Sequence, residues 1–129
     1  MIDHIGLTAT DIARSRAFYA AALGPLGIAL VMEITPEMKG TPGSALGYGR
    51  EGKPFFWIYG DAPAGGEVHV AFTVPDRAAV DAFHAAAIAA GGRDNGAPGL
   101  RPHYHADYYG AFVFDPDGHN IEAVCHAPA

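Results

Sequence analysis

The sequence has one cysteine, few basic residues and no long hydrophobic run, and each shortage excludes a class of structure or partner. A single cysteine excludes an internal disulfide and is compatible with a reducing compartment. No apolar run reaches the roughly 18 residues of a membrane-spanning helix, and no basic-then-apolar leader opens the chain, so we expect a cytoplasmic protein without membrane contacts. The 8 Lys and Arg against 14 Asp and Glu give a net charge of −6, which argues against a nucleic-acid partner.

The chain resembles itself at a shift of 65 residues, the distance from His4 to His69. The segment His4-Ile5-Gly6-Leu7-Thr8 aligns with His69-Val70-Ala71-Phe72-Thr73, and Asp11 then aligns with Asp76 without a gap. Because the shift is about half of the 129 residues, we expect one domain built of two similar modules, residues 1–60 and 67–129, joined by a linker over 61–66.

The hydrophobic pattern predicts the element order β-α-β-β-β in each module. Thr10 or Asp11 caps the first predicted helix and Asp76 caps the second. The predicted strands span residues 2–8, 28–34, 45–49, 55–59, 68–74, 109–114 and 120–125, with a short strand or extended loop over about 100–106. The predicted helices span 12–23 and 77–90, and residues 35–43 form a loop. This order predicts an α+β fold with mostly antiparallel strands and helices on one side of each sheet.

Strand alternation places His4 and His69 on the faces that carry small and polar residues, opposite the bulky apolar faces under the helices. Glu122 lies inside the last predicted strand between apolar neighbours, where a carboxylate needs a partner. Two histidines and one carboxylate are typical of a catalytic metal site with open positions. Taken singly, His4 can be an unremarkable terminal residue, His69 a hydrogen-bonded core residue, and Glu122 half of an ion pair.

Two further groups of residues are candidates for a substrate pocket. Subtracting the repeat shift from Glu122 gives Trp57, an indole that can stack on a ligand with its neighbour Phe56, or simply pack in the core. Residues 101–109 are rich in His and Tyr, which can act as an acid or base or donate to an oxyanion, unless they form an ordinary surface loop. From this segment the candidate catalytic residues are His103, His105 and Tyr109, and the candidate pocket residue is Tyr108.

Three segments carry a resemblance to a known family: Asp3-His4-Ile5-Gly6-Leu7, His69-Val70-Ala71-Phe72, and Asp115-Pro116-Asp117-Gly118-His119-Asn120-Ile121-Glu122. With the doubled βαβββ plan, the chain resembles the vicinal oxygen chelate superfamily, which includes glyoxalase I, extradiol dioxygenases and bleomycin resistance proteins. The resemblance implies two βαβββ modules forming a curved eight-strand cup with helices outside, often completed in a homodimer.

The resemblance also implies a divalent metal ion (Fe²⁺, Mn²⁺, Zn²⁺ or Ni²⁺) that chelates two adjacent oxygens of a small substrate. His4, His69 and Glu122 match three of the family's ligand positions, whereas the fourth falls at or near Trp57 and carries no ligand. This departure argues against classical glyoxalase activity and is closer to extradiol dioxygenases, which use nearby His and Tyr. The expected function is metal-dependent lyase, isomerase or dioxygenase chemistry. The alternative is a metal-free binding protein of the bleomycin-resistance type, and a third possibility is a non-catalytic assembly role.

Overall fold

A computed structural model of the chain describes residues 1–40, 42–60, 62–63, 65–66 and 68–129, without the side chain of Lys39. The first module contains β1 (Ile5–Thr8), α1 (Ile12–Leu23), a 3₁₀ turn (Gly24–Leu26), β2 (Ala29–Ile34), α2 (Pro36–Lys39), β3 (Ala45–Arg50) and β4 (Lys53–Tyr59). The second contains β5 (His69–Thr73), α3 (Arg77–Ala89), β6 (Arg93–Leu100), β7 (Tyr109–Phe114) and β8 (Asn120–Cys125). The predicted linker lies partly outside the described residues.

The two modules form equivalent four-stranded sheets, with strand orders β1-β4-β3-β2 and β5-β8-β7-β6. In each sheet the first and last strands of the module pair in parallel, and the other pairs are antiparallel. The sequence repeat is conserved in the register, because Gly6 pairs with Trp57 as Ala71 pairs with Glu122. The predicted α+β architecture of two βαβββ modules is confirmed, and its strands form two open mixed sheets rather than one closed surface.

Three predicted boundaries were wrong. Strand β1 begins at Ile5, so His4 precedes the strand instead of lying within it. Strand β6 occupies residues 93–100 rather than about 100–106, because its backbone pairs with β7 despite the glycines, with register shifts on both sides of Gly96. The predicted loop over 35–43 contains the short helix α2, whose first turn is capped when the Thr35 hydroxyl accepts from the Met38 N–H.

The long helices begin where the sequence predicts. The Asp11 carboxylate accepts from the Arg14 N–H at the start of α1, and the Asp76 carboxylate accepts from the Ala79 N–H at the start of α3. Both helices pack against each other and against one face of the sheets, and their apolar side chains form the core with the inward residues of the strands. The opposite sheet faces are therefore left to form pockets.

A turn of the second module, residues 115–119, docks on the first module through buried polar contacts. The Tyr19 hydroxyl donates to Asp115 Oδ2 at 2.5 Å, and His119 Nε2 lies 2.8 Å from the carbonyl oxygen of Thr8. Asp115 and His119 are both buried. Burial, and then the charge and hydrogen bond of Asp115, raise the pKa of Tyr19 well above its ordinary value. Tyr19 therefore remains a proton donor, and the contact fixes how the two modules sit together.

We expect Tyr19→Phe to lower the free energy of unfolding by about 1–3 kcal/mol, because it removes a donor from a buried carboxylate. Tyr48→Phe is a matched control, since the Tyr48 hydroxyl is buried without a hydrogen-bond partner among the described residues. Removing that hydroxyl should leave stability unchanged or slightly higher. Urea unfolding of the three proteins measures both effects. Equal losses in the two variants would contradict the role given to the Tyr19–Asp115 bond.

Candidate metal and substrate site

Glu122 and His69 form the centre of the candidate site, on adjacent parallel strands of the second sheet. Glu122 lies on β8 opposite Ala71, and His69 lies two residues before Ala71 on β5. The two side chains meet with Glu122 Oε1 at 3.1 Å from His69 Nε2. The Glu122 side chain is only 2% exposed, whereas that of His69 is 48% exposed. A buried carboxylate thus lies beneath an imidazole that solvent can reach.

The hydrogen bonds of His69 show that a neutral imidazole has no proton to donate to Glu122. His69 Nδ1 lies 3.1 Å from the backbone carbonyl oxygen of Asn120, which can only accept a hydrogen bond. Nδ1 therefore carries the proton, and in the neutral ring Nε2 presents a lone pair. That lone pair faces Oε1 of Glu122, which is also only an acceptor when ionised. A shared proton or a cation satisfies both atoms, so the pair has the chemistry of two metal ligands.

Tyr108 holds the other oxygen of Glu122. Its hydroxyl donates to Oε2 in a short hydrogen bond. Burial, followed by this bond, raises the pKa of Tyr108 well above its ordinary value, so the phenol keeps its proton at neutral pH. Gly110 makes room for the pair, because a Cβ at that position would lie 3.1 Å from Oε2 and 3.2 Å from the Tyr108 ring. Glu122 is therefore oriented with Oε1 toward His69.

His4 lies apart from this pair, in the residues before β1. Its Nδ1 is 2.7 Å from Asp3 Oδ2, which also accepts from Lys53 Nζ at 2.9 Å. The hydrogen bond from His4, and then that from Lys53, lower the pKa of Asp3. Because the carboxylate accepts from Nδ1–H, Nε2 of a neutral His4 is also left with a lone pair. No three His, Cys, Asp or Glu side chains in the described part of the single chain form a group that could hold a metal ion.

Three cavities adjoin these residues, and two of them are also lined by His4. His4 and His69 both line a cavity of about 530 Å³ between β1 and β5, and Phe56 forms part of its wall. Phe56 itself is fully buried and packs edge-on against Phe72 at 5.2 Å between ring centroids. A second cavity, of about 500 Å³, is lined by His4, Lys53, Trp57 and other residues of the first sheet. His4 thus contributes to both cavities.

Trp57 and Tyr59 provide a flat apolar surface in the second cavity. Their rings are nearly parallel, at 11° with centroids 6.4 Å apart. The Trp57 ring covers Gly47, where a Cβ would come within 2.8 Å, and the Tyr59 ring covers Gly6 more closely still. Glycine is therefore required beneath each ring. Trp57 is only half-buried, and it lines this cavity.

Residues 101–108 form turns rather than a strand, and Tyr108 is the last residue of this segment. The N–H of Asp107 donates to His105 Nδ1, so Nε2 of the neutral His105 carries the proton that it shares with His126 Nδ1 at 2.9 Å. His105 also contacts the Tyr108 ring edge-on, at 5.5 Å between centroids. His103 packs on Tyr104 at the exposed side of the turn.

The structure brings some predicted site residues together and leaves others apart. His69, Glu122 and Tyr108 are in direct contact, and His105 reaches them through Tyr108. Tyr109 does not reach them, because its hydroxyl donates to Asp81 of α3 at 2.6 Å.

Sequence reasoning missed Asp3, Asn120 and Arg101 as neighbours of the site. Each had a signal: Asp3 stands next to His4, Asn120 lies on the same predicted strand face as Glu122, and Arg101 opens the segment rich in His and Tyr.

A family model for the Glyoxalase/Bleomycin resistance protein/Dioxygenase superfamily matches residues 1–123. The chain belongs to this superfamily. A glyoxalase/bleomycin resistance protein from Albidiferax ferrireducens T118 is 32% identical, with a TM-score of 0.77 and 98% of each chain covered. No curated protein sequence matches the chain.

More distant superfamily structures share the fold. The E144Q mutant of glyoxalase I from Zea mays is 24% identical with a TM-score of 0.71, over 95% of this chain and 46% of that chain. This chain therefore spans about half the length of the maize enzyme. A glyoxalase/bleomycin resistance protein/dioxygenase family enzyme from Burkholderia phytofirmans PsJN is 23% identical, with a TM-score of 0.69 and 98% of both chains covered. None of the described helices of this superfamily member is long and hydrophobic enough to cross a bilayer.

We expect His69 and His105 to have opposite neutral tautomers in the metal-free protein. His69 should carry its proton on Nδ1, which faces the Asn120 carbonyl, and His105 on Nε2, because its Nδ1 accepts from a backbone N–H. Long-range ¹⁵N–¹H NMR spectra at about pH 9, well above the ordinary histidine pKa, distinguish the tautomers. A proton on Nε2 of His69 would contradict the proposed fit for a cation.

Proposed function

We propose that the protein is a small divalent-metal-dependent enzyme that acts on a small molecule with two adjacent oxygens. The observation that carries this proposal is the opposition of two acceptor atoms, His69 Nε2 and Glu122 Oε1, at 3.1 Å. A buried carboxylate facing an imidazole lone pair is stabilised by a cation between them. Superfamily membership supports the same reading, although it does not by itself determine the reaction.

His69, Glu122 and His4 are the residues that would hold the ion. Both histidines use Nδ1 to bond an oxygen acceptor and leave Nε2 for a ligand, as metal-binding histidines usually do. Two imidazoles and one carboxylate suit Fe²⁺, Mn²⁺, Zn²⁺ or Ni²⁺ and leave positions open for substrate. When bound, such an ion supplies Lewis-acid polarisation of the substrate oxygens.

We propose that a second copy of the chain supplies His4, in a homodimer. In the single chain, His69 and Glu122 are in contact while His4 lies apart from them. The sheet faces that line the cavities remain open and expose apolar side chains, among them Met32 and Tyr59. Pairing two copies would cover these side chains and bring a histidine from one copy to the carboxylate of the other.

The chain's own groups then have separate roles. Tyr108 holds Glu122 in place by donating to Oε2. Trp57 and Phe56 form walls of the cavities that would receive the substrate. His105 and His103 lie at the solvent side of Tyr108, where an imidazole can take up or release a proton near neutral pH. These groups suit either proton transfer in a lyase or isomerase, or extradiol-type dioxygenase chemistry.

We expect His69→Ala and Glu122→Gln each to weaken binding of Zn²⁺ or Mn²⁺ by at least about tenfold, because each removes a ligand. His84→Ala is the matched control, since His84 of α3 pairs with Asp94 of β6 and not with His69 or Glu122. Elemental analysis of protein without a histidine tag, with calorimetric titration of each metal, measures the change. An unaltered metal content in His69→Ala would exclude this ligand assignment.

The alternative is a metal-free binding protein of the bleomycin-resistance type. The net charge of −6 and the Trp57–Tyr59 surface favour it, because both suit a cationic ligand with flat rings. Titrating a cationic glycopeptide drug into the metal-free protein separates the two functions. Tight binding of the drug to the metal-free protein, with no metal uptake, would favour the binding function over the enzyme. The single buried Cys125 fits a cytoplasmic location for either function.

A mixing experiment tests whether the site forms between two copies. We expect His4→Ala and His69→Ala to bind metal poorly when separate. When they are unfolded and refolded together, the mixture should recover about a quarter of the wild-type sites, because half of the randomly formed dimers hold one intact site. No recovery on mixing, with both single variants defective, would show that the site forms within one chain.

A further inference from the structure

Arg101 is a guanidinium held in a fixed position at the edge of the second sheet. It follows β6 directly, and its side chain folds back over that strand. Nη1 donates to the carbonyl oxygen of Gly99 and Nη2 to that of Ala97, both at 2.8 Å. The Cζ atom lies 5.5 Å from the centroid of the Phe112 ring. Two backbone bonds and one aromatic face therefore orient the charge.

The backbone of β6 is shaped to receive this side chain. A Cβ at Gly96 would lie 3.1 Å from Nη2 of Arg101, and a Cβ at Gly99 would lie 3.3 Å from Nη1. Gly96 also has a φ of 149°, which other residues rarely adopt. Both glycines thus keep open the space that the guanidinium occupies. The same glycines explain why β6 was not recognised from the sequence.

Arg101 has no carboxylate partner among the residues that the structure describes. Arg14, Arg16 and Lys53 each pair with an Asp or Glu, in a chain with an excess of acidic residues. A guanidinium has five N–H donors, and Arg101 uses two on carbonyls, which leaves three. A half-buried cation with unused donors in an acidic protein is available to an anion from outside.

The position of Arg101 relates it to the candidate metal site. Phe112, the ring beneath Arg101, stacks on His69 with 6.1 Å between centroids and an angle of 23°. Phe112 is also the register partner of Glu122 across β7 and β8. The guanidinium therefore lies one aromatic ring away from the imidazole on the same sheet face. A ligand with its adjacent oxygens at His69 and Glu122 can extend toward Arg101.

We propose that Arg101 binds a carboxylate of the substrate, so that the substrate is an anion bearing both adjacent oxygens and a carboxylate about one ring away. This inference rests on the proposed function for the position of the adjacent oxygens. The planar guanidinium matches a carboxylate in geometry, and its charge offsets the repulsion of an anion by the acidic chain. The chemistry assigned to Arg101 is recognition and orientation; it takes no part in bond making.

Two probes that differ only in charge test the proposal: the catechol carboxylate protocatechuate and its neutral amide. Calorimetric titration into the zinc-loaded protein, without oxygen, should show the acid binding about tenfold or more tightly than the amide. Arg101→Gln should remove this preference. Arg101→Lys, which keeps the charge but lacks the planar fork, should reduce it and guards against misfolding of the first variant.

Arg93→Gln is the matched control, because Arg93 also lies over a phenylalanine of β7, at 4.8 Å from the Phe114 ring. It removes the same charge at the other end of β6 and should keep the preference. Equal affinity for acid and amide, no binding of the acid below millimolar concentration, or the same loss in both glutamine variants would overturn the role of Arg101. The same titrations without metal separate the two hypotheses. If the protein takes up no metal but still prefers the acid, and this preference depends on Arg101, the proposed metal-dependent function would be wrong and the role of Arg101 would stand.

Discussion

The site depends on one buried negative charge, the Glu122 carboxylate. An ionised carboxylate at 2% exposure is costly unless each oxygen is satisfied, and with a neutral His69 the described residues supply a donor for only one of them. Tyr108 donates to Oε2, while Oε1 faces the unprotonated nitrogen of His69. A neutral imidazole that donates from Nδ1 to the Asn120 carbonyl has no proton left for Oε1, so a shared proton or a cation is needed between the two side chains. The chemistry proposed for this protein follows from that deficit.

The rest of the fold serves to hold this arrangement on parallel strands. The positions of His69 and Glu122 follow from the β5–β8 register, and that register is set by the apolar side chains on the opposite face, such as Ile121, which pack beneath the helices. A slip of one residue would bring Glu122 into the core. Gly110 adds a second constraint, since any side chain there would compete with Tyr108 for the space beside the carboxylate.

Much of the fold could be predicted from the sequence, because the repeat and the helix caps are local signals. Asp11 and Asp76 cap helices where predicted, and the two modules appear in the expected order. Strand β6 could not be recognised, since Gly96 and its neighbours pair with β7 only through the backbone. The contacts of Tyr109 with α3 and of Arg101 with Phe112 depend on tertiary packing, so alternation along the chain could not assign them.

The two modules differ in the side chains that they place at equivalent positions of the site. Trp57 and Glu122 occupy equivalent positions in equivalent registers, yet one is an apolar indole and the other a carboxylate. A second carboxylate on the same cation would occupy one more coordination position and leave one fewer open for a substrate. With Trp57 in that place, the first module offers His4 and a flat apolar wall instead. Under the proposed function, His4, His69 and Glu122 would hold the ion and leave its remaining positions, and the aromatic surface beside them, for a ligand.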